Sequence, residues 1–269
     1  MEKRLMRQSA AEGNPVLAQG TDTATSAEHL LFGKCVILHL LPGALVTAAF
    51  ALLVPVGNRF GVPAFAVFLV LGVVLLVPLE LGYLLWQAWK RTGTLRVATV
   101  VSYRERIPSW QYVLLPVPLL LWMLLIFLLL SPTVETNIIE RFFSWVPQDY
   151  HLQSFATHME DYNRPLLISS AVLMLIFGGL IGPVVEELYF RGYLLPKMLR
   201  YGSWAPLLHT VLFSLYHFFT PWQNPARILG LTPLYYVVWW KRNIYIGILV
   251  HCVGNTLGMG ALLLAVLLG

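Results

Sequence analysis

A chain of 269 residues that is 58% hydrophobic and 12% charged, with a mean hydropathy of +0.70, is too apolar for a soluble domain, where roughly 45–50% apolar and about 25% charged residues are usual. Its net charge of +5 is spread over short loops between apolar runs. That excludes a basic nucleic-acid face and fits the positive-inside bias of membrane proteins. Two cysteines, Cys35 and Cys252, both in apolar runs, exclude a disulfide framework or a CxxC metal knuckle.

Residues 1–28 are a polar tail rich in Ala, Gly, Ser and Thr, without the apolar stretch of a secretory signal. The tail reads as disordered and cytoplasmic. Seven apolar runs follow: 35–56, 62–88, 110–130, 166–195, 204–219, 228–240 and 244–268. About 20 residues are needed to cross a hydrocarbon core of ~30 Å as a helix, so the sixth run is short and reads as tilted or re-entrant. The fold class is therefore an all-α polytopic transmembrane bundle of seven spans. Residues 29–164 read as N-terminal helices and an outer loop, and 165–269 as a catalytic core. The acidic, aromatic loop 131–164 has the composition of a short interfacial helix. Lys90, Arg91, Arg96, Arg104, Arg106, Lys197, Arg200, Lys241 and Arg242 fall on one side with the tail, against Arg59, Arg141, Arg164 and Arg227 on the other. This predicts a cytoplasmic N-terminus and a C-terminus on the opposite face.

Charge inside lipid is costly and marks function. Of thirteen Asp and Glu residues, only Glu80, Glu186 and Glu187 fall in apolar runs. Glu187 and Arg191 are four apart and share a helical face, with the acid N-terminal to the base; they read as a neutralising pair that leaves Glu186 free. His217 lies in the fifth run, and His251 and Asn255 share a face of the last. At 1.5 Å per residue, Glu186, His217, His251 and Asn255 lie roughly 12–21 Å from the cytoplasmic side, in one mid-membrane layer. Such a set can activate water, hold an oxyanion, or, through Glu186, His217 and His251, bind zinc. No HExxH, GxSxG or membrane Asp pair is present. Glu80 lines a substrate cavity or pairs with a cation; His39 and His209 read as structural.

The series Glu186-Glu187-x-x-x-Arg191, Phe213-x-x-x-His217 and His251-x-x-x-Asn255 resembles the CPBP family, the CAAX-protease and bacteriocin-processing (Abi) family that includes Rce1-type prenyl proteases. The resemblance covers 183–255. It implies an intramembrane endopeptidase in which Glu186 activates water aided by His217, and His251 and Asn255 stabilise the oxyanion. Glu187, Arg191 and Phe213 would be supporting residues. It further implies a peptide or protein substrate, membrane-associated or lipidated, with membrane lipid as the other partner and a bacterial or archaeal plasma membrane as the location. Rce1-type members have eight spans, so the N-terminal half is arranged differently or contains one more. The family has been described both as zinc metalloproteases and as glutamic proteases. One Glu, two His and an Asn need no cofactor, which favours the glutamic reading. A non-proteolytic membrane scaffold, or a bacteriocin-immunity-type protein with the same fold, is the alternative function.

Overall fold

A computed structural model describes residues 30–268; the polar tail lies outside the described residues. The described chain is helical, with no strands. Helix α1 is Phe32–Arg59, α2 is Ala64–Thr92 and α3 is Gln111–Phe142. The next helical run, Arg164–Tyr216, breaks at Gly202, whose φ of 55° and ψ of −134° only glycine adopts readily. Residues 164–201 are α4, and Ala205–Tyr216 is α5. Helix α6 is Asn224–Lys241 and α7 is Ile244–Leu268.

By length and composition, five helical runs among the described residues are able to cross a membrane, against the seven spans expected. The difference lies in α5 and α6. Helix α5 has 12 residues, which rise only about 18 Å, and it stands in one run with α4. Helix α6 carries the buried Arg227 in its first turn, which lowers its hydropathy. Leu52, Leu121, Leu128 and Leu257 are exposed on helix faces, an outer surface that only lipid makes favourable. The protein is an integral membrane protein.

Local chemistry sets the helix ends. The Asn163 side chain accepts from Leu166 N at 3.1 Å and starts α4, with Pro165 in the first turn. Asn243 starts α7 by accepting from Tyr245 N at 3.0 Å, and its Nδ2 donates to Glu105 O at 2.7 Å and Tyr112 Oη at 2.9 Å. Helix α2 stops at Gly93, in the left-handed region. Helix α3 passes the expected end at Leu130 through a wide turn, Ser131–Glu135, and continues as Thr136–Phe142. The segment 131–164 thus begins as an extension of α3 and continues in single turns such as Gln148–Tyr150.

Helix α5 packs on α6 and α1, α6 on α3, and α7 on α4 and α3. A core rich in aromatic residues, including Phe190, Phe213, Tyr216 and Tyr235, joins α4, α5 and α6. Close approach has specific causes. A Cβ on Gly43 of α1 would collide with the Tyr216 carbonyl at the end of α5, and one on Gly254 of α7 would collide with Met123 of α3.

Candidate active site

Glu186 and Glu187 lie where α4 widens from ordinary turns into i→i+5 turns over Glu187–Leu194. Such widenings often accompany functional sites. The turn directs Glu187 toward α7 and leaves Glu186 on the wall of a cavity. That cavity, about 450 Å³, is lined by Glu186, His217, His251 and Asn255 together with apolar side chains such as Phe68, Phe127, Met174 and Phe177. The four polar side chains come from α4, the end of α5, and α7, so the fold brings them to one space.

Glu187 is fully buried. Its Oε1 is 3.3 Å from Arg191 Nη1 and 2.9 Å from His251 Nδ1. The carboxylate therefore holds a histidine as well as neutralising Arg191, a second duty that helical spacing does not reveal. Gly247, one turn before His251, makes room for it, because a Cβ there would collide with Glu187 Oε2. Arg191 itself is buried against two rings set at 85° to each other, with its guanidinium carbon 3.9 Å from the Phe213 centroid and 4.1 Å from that of Tyr235. Desolvated cation–π contacts of this kind contribute about 2 kcal/mol. They explain how a cation is tolerated at this depth with one adjacent carboxylate.

With Nδ1 engaged by Glu187, His251 presents Nε2 to Glu186, 3.7 Å from its Oε2. That separation is too long for a direct hydrogen bond and suits a bridging group. His217 ends α5 and its Nδ1 donates to Phe213 O at 2.9 Å, which leaves the Nε2 lone pair available. Asn255 donates through Nδ2 to Gly178 O at 3.1 Å, so one Nδ2 hydrogen and Oδ1 remain uncommitted.

Two residues escaped the sequence reading. Tyr216 Oη lies 3.4 Å from Glu186 Oε1 and 2.7 Å from Glu80 Oε1, which resolves where Glu80 points. Arg227, read as an outer-loop charge, is buried and lines the cavity. It donates to Thr220 Oγ1 at 2.6 Å, Gln223 Oε1 at 2.7 Å and Asn224 Oδ1 at 3.2 Å, fixing the loop that follows His217. The one sequence signal was its spacing from Gln223 and Asn224, which places three polar groups on one face at the foot of α6. Among the described residues, no three His, Cys, Asp or Glu side chains stand together as a metal set.

Residues 168–257 match the family model described as type II CAAX prenyl endopeptidase Rce1-like. That segment is similar to this family. The match spans the second half of the site-bearing bundle and leaves α1, α2 with Glu80, and α3 outside it. Neither curated proteins nor solved structures provide a match. Glu186, His217, His251 and Asn255 all lie within the matched segment.

Proposed function

We propose that this protein is an intramembrane endopeptidase of the glutamic type. The observation that carries the reading is that Glu186, His217, His251 and Asn255 line one apolar cavity, with a gap of 3.7 Å between Glu186 and His251. In the proposed reaction a water is held between Glu186 and His217 Nε2. Glu186 takes its proton while the water oxygen attacks the peptide carbonyl carbon. Asn255 Nδ2 and the Nε2–H of His251 in its imidazolium form, whose Nδ1–H stays on the Glu187 carboxylate, hold the oxyanion that forms. Collapse breaks the C–N bond, and the proton held by Glu186 goes to the leaving amine. Glu187 keeps His251 in place, and Arg227 keeps His217 in place through the Thr220 loop. No step uses a metal.

The matching family is described as a CAAX prenyl endopeptidase, so the proposed substrate is a peptide carrying a prenyl group. The apolar walls, Phe68, Leu69, Phe127 and Phe177 among them, suit such a chain. The test uses the purified protein in proteoliposomes with a fluorogenic prenylated peptide. Wild type cleaves it, with or without chelator. Glu186→Gln lowers kcat by about 10³-fold or more, on the scale of losing a general base and its placement, while its melting temperature is retained. Full activity in E186Q would sink the mechanism, and loss of activity in chelator would replace it with a metal one.

A further inference from the structure

Glu80 is the one carboxyl of this layer that lies outside the family match. It sits in α2, fully buried, and its Oε2 has no hydrogen-bond partner among the described residues. No ion pair to it exists among those residues. A carboxyl in this setting costs several kcal/mol, and a packing role needs none. Its one hydrogen bond among the described residues is the 2.7 Å bond from Tyr216 Oη, and the same phenolic oxygen is 3.4 Å from Glu186 Oε1. A phenol has a single proton, so Tyr216 serves one of the two carboxylates at a time.

We infer that Glu80 is a positioning residue for Glu186, acting through the Tyr216 hydroxyl. This rests on the proposed role of Glu186 as the base. The short bond to Glu80 turns the phenolic proton away from Glu186. Glu186 Oε1 is thereby left without that donor until it has taken a proton from water. Its new O–H then finds the Tyr216 oxygen ready to accept. The phenol has little freedom to swing. Its ring packs edge-on to Phe190 at 4.9 Å and stacks on Phe213 at 5.8 Å and 20°, and Gly43 closes on its backbone carbonyl. The cause of that tight approach is then plain: it fixes where the Tyr216 oxygen stands relative to both acids.

The experiment compares full-length wild type, Glu80→Gln, Tyr216→Phe, the double variant of those two, and the apolar pair E80M/Y216F. With the prenylated peptide, E80Q and Y216F each lower kcat about 10–100-fold at nearly unchanged KM, as misorientation of a reacting group does. The double variant E80Q/Y216F is no worse than Y216F alone. E80M/Y216F regains the melting temperature, since replacing a buried polar pair by apolar groups is often neutral or stabilising, yet kcat stays low. Unchanged kcat in E80Q, or recovery of kcat along with stability in E80M/Y216F, overturns the inference. A second readout needs no substrate: the infrared carboxyl band of Glu186, identified by its loss in E186Q, shifts in both Y216F and E80Q. A shifted band in a protein that cleaves nothing keeps the linkage and removes the protease reading. An unshifted band with normal kcat removes the linkage alone.

Discussion

Two clusters of polar side chains are buried in this bundle, on either side of the Phe190 ring. One is the pair His39 and His209, at 5.6 and 6.3 Å from that ring; the other is the Glu186 set, reached through Phe213 and Tyr216 at 4.9 Å each. Both lie inside helices, so depth does not separate them. Their bonding does. His39 Nδ1 donates to Cys35 O at 2.8 Å, so its Nε2 accepts from His209 Nδ1 at 2.9 Å. Both rings are fully buried and neither lines the cavity. Only His209 Nε2 is left without a partner among the described residues, as an acceptor with nothing near it to accept. The Glu186 set keeps its uncommitted atoms toward an open space. The contrast predicts that the histidines with an atom facing the cavity serve the reaction and that the pair sealed away from it serves the fold.

The sharpest way to break this comparison is to truncate one histidine from each cluster. His251→Ala should lower kcat by about 10²–10³-fold, the usual effect of removing an oxyanion donor, with stability falling less than activity. His209→Ala should leave kcat within about twofold but lower stability by about 1–3 kcal/mol, because it strands the His39 acceptor in an apolar core. Peptide cleavage and thermal unfolding in detergent read both. A catalytic defect in H209A with an intact melting curve would mean that access to the cavity does not divide the two clusters.

A smaller effect is expected at Arg191, which links the aromatic core to the site. Arg191→Lys keeps the charge for Glu187 but loses the flat guanidinium between Phe213 and Tyr235. The loss should be about 1–2 kcal/mol of stability, with cleavage reduced several-fold through the shifted Glu187 and His251. If R191K melts like wild type, the two ring contacts are not what makes the cation tolerable, and the pairing with Glu187 alone must be.

Much of this was legible in the sequence, and the limits have physical causes. Hydropathy located the helices α1 to α7 because each carries an apolar stretch, although only five helical runs among the described residues are long and apolar enough to cross a membrane. It separated α4 from α5 at the polar stretch 196–203, which carries Lys197 and Arg200, and so could not show that the helical run continues through that stretch and breaks only at Gly202. Helical spacing paired Glu187 with Arg191 because both stand on one helix. It was blind to Glu187 with His251, Glu80 with Tyr216, and His39 with His209, which join residues 64, 136 and 170 positions apart. Tyr216, adjacent to His217, looked like one more aromatic in an apolar run. Arg227 was assigned to a loop by charge bias alone, whereas its neutral partners Thr220, Gln223 and Asn224 allow it to be buried.

His151 offers the mildest test, because it belongs to neither cluster and lies outside the spans. Its ring stacks on Trp222 at 4.7 Å and 16°, next to the turn that carries Gln223 to the cavity. Partial burial holds its pKa below the ordinary value of 6.5. The neutral ring is therefore the form the fold accepts, and the unfolded chain takes up the proton first as pH falls. Stability contributed by this contact is complete above about pH 6.5 and declines as pH drops below it, levelling off under the lowered folded-state value. The decline should be small, a degree or two in melting temperature on the scale of a few tenths of a kcal/mol, and absent in His151→Gln. If H151Q removes instead a large acid sensitivity of cleavage itself, the outer turn governs access to the cavity, and openness, the property that distinguishes the two buried clusters, is set from outside the membrane.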